Sequence, residues 1–260
     1  MQIRRPQFDL TQAPRFWNGG SPVRTHLLNA ISVLLPHGEK FFVETAASAR
    51  ENLDDPVLRR QSAGFIAQES VHSNQHRQYN DEVAKLGYNV PFLEHAVVVQ
   101  IKATRRVFSD KWKLAIVAAY EHLTGLMGHH LLTSPEWLEG AHSGFLALWH
   151  WHSVEEIEHK EVAFDLFRNA GGGYFMRVIA MIFATLGLLA NLFWITTYFS
   201  IKDRSLFTWS YWTDWFSFTF WKSGFFGTLL RGYFCYFSPG FHPSHRDDSS
   251  VVRSWQKANP

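Results

Sequence analysis

Two stretches of the chain carry Glu-x-x-His. The first is Glu69, His72 and His76 in QESVHSNQH; the second is His152, Glu155, Glu156 and His159 in HSVEEIEH. Each lies in a run that reads as helix. Successive helical residues turn by about 100°, so Glu69, His72 and His76 fall within about 60° of one another, as do His152, Glu156 and His159. A carboxylate and an imidazole one turn apart can reach the same cation. Two such pairs on two helices are the core of a dinuclear metal site built inside a helical bundle.

A bundle site of this kind also takes a single carboxylate from each of the other two helices. Glu121 in AAYEHLTG is one, set in an apolar stripe with Leu114, Val117 and Met127. A buried carboxylate without a partner is costly, so Glu121 calls for a cation. Glu39, beside Phe41 and Phe42, is the other, in preference to Glu44 about 140° around the helix. The expected metal set is therefore Glu39, Glu69, His72, Glu121, His152, Glu156 and His159, with His76 and Glu155 as outer partners. Four carboxylates balance two divalent ions, and oxygen-rich ligands with some imidazole suit iron, with manganese or zinc as alternatives. Gly125 and Gly128, on the face of Glu121, are expected to leave room for a substrate. His122, His129 and His130 are not expected to bind metal, and Glu158, Lys160 and Glu161 are expected on a solvated outer face.

The elements that must position these residues are legible from breaks and caps. Residues 1–24 hold Pro6, Pro14, Gly19, Gly20 and Pro22 and read as an irregular lead-in. A helix begins at Thr25, is interrupted at Pro36-His37-Gly38, and resumes near Glu39. Asp54-Asp55-Pro56 starts a second helix that ends at Gly87. A long connection over 88–109, helical in part (93–108), leads to a third helix capped by Ser109-Asp110. Ser134-Pro135 opens a fourth that ends at Gly171-Gly172-Gly173. Four long helices with the longest link between the second and third predict an all-α, ferritin-like four-helix bundle over 25–173.

Beyond the glycines the composition changes. Residues 178–201 carry no charge, and Arg177 and Lys202 flank them. Twenty-four uncharged, mostly apolar positions are long enough to span a bilayer. SLFTWSYWTDWFSFTFWK follows, with the aromatic content of an interfacial belt. Residues 174–237 are therefore expected to be additional apolar helices associated with a membrane, and 238–260 a polar, loop-like tail. The N-terminus has no apolar segment behind its basic residues, so the metal domain is expected in the cytoplasm. With 46% hydrophobic residues a large core is available, and a net charge of +2 gives no general case for nucleic acid. The single cysteine, Cys235, allows neither an internal disulfide nor a thiolate zinc site.

The phrases RRPQFDL, THLLNAISVLLPHGEKFF, FIAQESVHSNQHRQYN, YEHLTG, LWHWHSVEEIEHKEVAFD and GGGYFMR, with GFHPSHRDD in the tail, resemble the bacterial family of predicted metal-dependent hydrolases. The resemblance covers most of residues 4–177 and implies a metal enzyme. The pattern His152-x-x-x-Glu156-x-x-His159 is similar to that of ferritin-like di-iron N-oxygenases. That likeness covers the ligand frame only, implies the seven metal residues named above, and has no place for His76.

Three functions follow. The first expectation is an oxygen-dependent di-iron oxidase or oxygenase, taking dioxygen, an apolar or lipid-like substrate and an electron donor. The second is a metal-dependent hydrolase, for which the sequence offers Arg105 and Arg106 as the nearest basic pair. The third is a non-enzymatic iron-binding membrane protein. Each is compatible with a homo-oligomer.

Overall fold

The computed structural model describes residues 1–221 and 225–259. The described chain is all-α: α1 (Pro22–Glu51), α2 (Pro56–Lys85), α3 (Val90–Val107), α4 (Asp110–Thr133), α5 (Ser143–Asn169), α6 (Tyr174–Lys202), α7 (Trp209–Phe216), α8 (Phe225–Cys235) and α9 (Ser249–Ala258). Local chemistry explains the starts. Ser21 Oγ accepts from Arg24 N at α1, Asp55 accepts from Val57 N and Leu58 N at α2, and Asn89 accepts from Phe92 N at α3. Each of these three helices also has proline in its first turn, where no amide is needed.

Two boundaries differ from the sequence reading. Pro36 does not interrupt α1, which runs through it without a break. A proline removes the amide that would bond the carbonyl four residues earlier. Here that carbonyl belongs to Ser32, and Asn80 Nδ2 donates to it across the bundle at 3.2 Å. The Pro36 carbonyl in turn accepts from Ser73 Oγ at 3.0 Å. Tertiary hydrogen bonds thus replace the one that proline deletes. At Ser134-Pro135 the opposite happens. Only a single 3-10 turn forms over Pro135–Trp137, and α5 begins at Ser143. The gap is held by an isolated bridge between Asn18 and Ala141 and by Asn18 Nδ2 donating to the Trp137 carbonyl.

α1, α2, α4 and α5 form the bundle. Two apolar clusters divide it lengthwise. One joins Leu28 and Ile31 of α1 to Tyr79 and Val83 of α2, Leu131 of α4 and Leu148 and Trp149 of α5. The other joins Phe41 and Ala46 to Phe65, Leu114 and Val117, and Val162 and Phe167. The first cluster therefore gathers the start of α1 and α5 with the end of α2 and α4, and the second gathers the opposite ends. So α1 runs antiparallel to α2 and α4 antiparallel to α5, while α2 and α4 run parallel. Consecutive bundle helices that run parallel need a crossover of the bundle's length, and α3 is that crossover. The metal-type residues lie between the two clusters, sealed at both ends.

α6 lies along the bundle from end to end. Ala180 enters one cluster, Ile195 and Phe199 the other. Small residues face inward: Ala180 and Ala184 are buried, and Gly187 lies against Tyr120. Phe175, Ile179, Ile182, Leu186, Leu189 and Phe193 face outward, one per turn. Arg177 is not a free flank. It is buried, surrounded by the rings of Phe164, Tyr174, Tyr236 and Phe241, and donates to the Ser238 and Phe241 carbonyls. The tail also departs from the loop expected of it, since it includes α9 and folds back onto α4 and α5 through Asp248.

Candidate metal centre

At mid-bundle each helix turns its acidic or imidazole residues inward. Glu69, His72, Glu121 and His159 are 0% exposed, and Glu39, His152 and Glu156 are buried beside them. Donor atoms of Glu69, His72, Glu156 and His159 lie within 4.8 Å of one another, and those of Glu39, His76 and His152 form a second such group. His159 Nδ1 is 2.7 Å from Glu69 Oε1, 3.7 Å from Glu121 Oε2 and 3.8 Å from Glu156 Oε1. His72 Nδ1 is 3.7 Å from Glu69 Oε1 and 3.5 Å from Glu156 Oε1. His152 Nε2 is 3.3 Å from Glu156 Oε1. All seven residues expected as ligands are therefore brought to one place. Glu44 is not; it pairs with Arg105 on the surface.

Whether a cation fits can be tested on the hydrogen bonds. Both carboxylate oxygens of Glu39, Glu69 and Glu121, Glu156 Oε2, His72 Nδ1, His152 Nε2 and His159 Nδ1 are buried with no hydrogen-bond partner. Native interiors rarely leave such atoms unsatisfied, and here they converge. The outer nitrogens, by contrast, are satisfied. His72 Nε2 meets Glu155 Oε2 at 2.9 Å. A carboxylate only accepts, so the His72 proton sits on Nε2 and Nδ1 presents a lone pair inward. His159 Nε2 meets Gln68 Oε1 at 3.1 Å. The Gln68 amide cannot be reversed, because its nitrogen donates to the Gln2 carbonyl and to Glu158 Oε2. The His159 proton is therefore on Nε2, and Nδ1 is bare. Lone pairs and carboxylate oxygens facing one another repel unless a cation lies between them, and the donor set fits divalent metal ions.

The titration behaviour agrees. Burial pushes the Glu39 and Glu121 carboxyls well above the usual range, and the charges of neighbouring site carboxylates push them further. Burial also raises Glu69, against the pull of His159. Burial works against a charged His72, but the hydrogen bond to Glu155 and the nearby Glu156, Glu69 and Glu39 carboxylates outweigh it and hold its pKa well above normal. Without a cation, protons must occupy the centre instead.

The residues that orient this set carry no spacing signal in the sequence. Arg4, from the irregular lead-in, donates to Glu155 at 2.9 Å and to Glu158 at 3.0 Å. Gln68 immediately precedes a ligand-type residue but lies a hundred degrees around the helix from it. Glu155 occupies the outer position expected for it. Other expectations fail for packing reasons. A Cβ on Gly128 would sit 2.8 Å from the Ser153 carbonyl, so Gly128 lets α4 and α5 approach and leaves no room for a substrate. Lys160 is buried, not solvated, and donates to Asp248 and to the Arg246 carbonyl, both at 2.7 Å. Lys160, Arg246, Asp248, His122 and Gly125 line a largely apolar cavity of about 280 Å³ between α4, α5, α8 and the tail. The basic pair near the centre is thus Lys160 and Arg246, brought together by folding, while Arg105 is engaged by Glu44 and stands over Phe41.

A family model described as predicted metal-dependent hydrolase matches residues 2–247. No curated protein and no solved structure matches the chain. The family description supports the hydrolytic alternative above the oxygen-dependent one.

Proposed function

The chain belongs to the family of predicted metal-dependent hydrolases, and from that premise we propose that it hydrolyses its substrate through two metal ions held by Glu39, Glu69, His72, Glu121, His152, Glu156 and His159. The observation that carries the reading is the convergence of unpartnered carboxylate oxygens and bare imidazole nitrogens in a sealed interior. Divalent ions bound there would polarise a carbonyl or phosphoryl oxygen and lower the pKa of water. The protein's own groups do the rest. Glu155 and Gln68 orient His72 and His159, and Arg4 holds Glu155. The two apolar clusters keep bulk water out. Lys160 and Arg246, both paired with Asp248, give the adjoining cavity a polar edge, while its apolar lining suits a lipid-like portion of the substrate.

A second reading rests on the carboxylate-rich character and complete burial of the centre. Those features suit a di-iron oxidase or oxygenase, since dioxygen can reach a site closed to larger molecules. One experiment separates the two. The purified protein is loaded with manganese, zinc or iron and offered phosphate and carboxylate esters without oxygen; in parallel the ferrous form is exposed to air. Ester cleavage without oxygen supports the hydrolase. Oxygen consumption at two irons per chain with no cleavage transfers the conclusion to the second reading.

The outward stripe of α6 supports membrane association. α6 follows the whole bundle, so it could cross a bilayer only by taking the metal centre and the charged crossover α3 with it. Asn191 at its middle pairs with Gln100 of α3 in both directions, at 3.1 and 2.9 Å. We therefore place α6 in the plane of the interface, with Trp209, Trp212 and Trp215 of α7 beside it, instead of across the membrane.

A further inference from the structure

His72 and His159 each have an acceptor behind them that pins the proton outward. His152 has no carboxylate or amide in that place. Its Nδ1 meets another imidazole, His76 Nε2, at 3.3 Å. Two neutral imidazoles can share a hydrogen bond in either sense, so this contact alone leaves the direction open. The direction is set three residues away.

Asn80 Nδ2 donates to two groups that only accept, the Ser32 carbonyl at 3.2 Å and the Glu94 carboxylate at 2.9 Å. Its amide is therefore fixed, and Oδ1 is the atom that faces Ser32 Oγ at 2.8 Å. Oδ1 only accepts, so the Ser32 hydroxyl gives its one proton to Asn80. Ser32 Oγ also lies 2.9 Å from His76 Nδ1, and with its proton spent it must accept there. His76 then carries its proton on Nδ1 and a lone pair on Nε2. That lone pair takes the proton of His152 Nδ1. His152 Nε2 is left bare, buried and unpartnered, 3.3 Å from Glu156 Oε1.

We propose that Asn80, Ser32 and His76 form a hydrogen-bond relay that fixes the tautomer of His152 and makes its Nε2 the metal-binding nitrogen, so that His76 is a positioning residue and not a ligand. The inference rests on the two-metal reading above. It also gives Pro36 a role, because the Ser32 carbonyl that orients Asn80 is free only through the missing amide of Pro36. The rival arrangement is direct coordination by Glu39, His76 and His152, whose donor atoms lie close enough for it. In that case His76 Nε2 and His152 Nδ1 would both be lone pairs aimed at an ion.

Histidine-labelled protein tests the relay in long-range proton–nitrogen spectra, first metal-free and then loaded with cadmium-113, which couples only to nitrogens bound to it. The expected result is a proton on His76 Nδ1 in both states, cadmium coupling at His152 Nε2, and none at His76. Cadmium coupling at His76 Nε2 or His152 Nδ1, or a proton on His76 Nε2, overturns the proposal. Ser32→Ala removes the acceptor behind His76 and should weaken one of the two ions by about 10- to 100-fold in competition with a chelator. Ser32→Thr, which keeps the hydroxyl, should restore it. Unchanged affinity in Ser32→Ala with an unchanged His76 tautomer also overturns the relay. If no cadmium binds at all, the two-metal reading fails, and the metal-free spectrum still decides which nitrogen of His76 holds the proton.

Discussion

Gly128→Ala should separate helix propensity from the geometry of the centre. Gly128 faces Ser153, the residue after His152, across the closest approach of α4 and α5. An added Cβ would stand 2.8 Å from the Ser153 carbonyl and 3.1 Å from its Cα, against 3.4 Å for ordinary contact. Both atoms are backbone, so no side chain can swing away and the helices must part by about 0.6 Å, well above the ~0.2 Å tolerance of a metal site. Overpacking of this kind costs about 1–3 kcal/mol, while replacing a helical glycine returns about 1 kcal/mol, leaving a net loss of about 0–2 kcal/mol. Gly125→Ala is the control one turn away. Its Cβ would meet Glu156 O at 3.5 Å and Lys160 Cβ at 3.6 Å, both ordinary contacts, so the gain of about 1 kcal/mol should stand alone. For a chain of this size the control should melt about 2–4 °C above the parent, and Gly128→Ala up to about 8 °C below it. Thermal unfolding followed by circular dichroism gives the first comparison, and metal per chain after dialysis the second. Gly128→Ala should lose metal while Gly125→Ala keeps it. A Gly128→Ala protein that melts higher and retains full metal would refute the claim that this contact lets α4 and α5 approach closely enough to hold the metal.

Three further outcomes are expected. Arg4→Ala leaves Glu155 buried without its cation, so metal affinity measured against a chelator should fall about 10-fold or more, with both ions still able to bind at saturating metal; an unchanged affinity removes Arg4 from the site. Burial raises the Asp203 carboxyl, but hydrogen bonds from His26 at 2.5 Å and from Ser205 outweigh it and lower the pKa from 3.8 to about 2. Because the folded pKa lies below the unfolded one, the contribution of about 2 kcal/mol is complete above about pH 4 and vanishes as pH falls through about 2. Denaturant melts of the parent and Asp203→Asn at pH 6 and pH 3 should show the gap between them narrowing; a constant gap contradicts the assignment. Phe193 is 74% exposed at the C-terminal end of the outward stripe. Phe193→Asp should therefore leave the melting temperature within about 2 °C but reduce flotation with anionic liposomes, and equal flotation of both proteins would rule out in-plane docking by α6.

The metal residues could be found in the sequence because a helix converts spacing into direction. Glu-x-x-His at 69–72 and 156–159 must place its two side chains on one face, whatever the helices pack against. Glu121 stood out as a charge in an apolar stripe for the same reason. The starts of α2 and α4 are readable from Asp55-Pro56 and Ser109-Asp110, which act within one turn. The groups behind the ligands were not readable. Arg4, Gln68, Ser32, Asn80 and His76 reach their partners across gaps of 14 to 151 residues. No local periodicity encodes such distances.

Glycine and proline show the same division. By sequence alone Gly128 is an open space and Pro36 a break. In the folded chain the first is filled by the Ser153 backbone, and the second leaves a carbonyl free for Asn80. Lys160 reads as a solvated charge until the tail brings Asp248 to it. The residue types and their helical phase, which are local and repeat every 3.6 positions, were enough to establish an all-α chain with two facing Glu-His sets. Which imidazole nitrogen faces inward, which helices touch, and which side of α6 stays bare depended on the packed bundle, because each is settled by a partner distant in sequence.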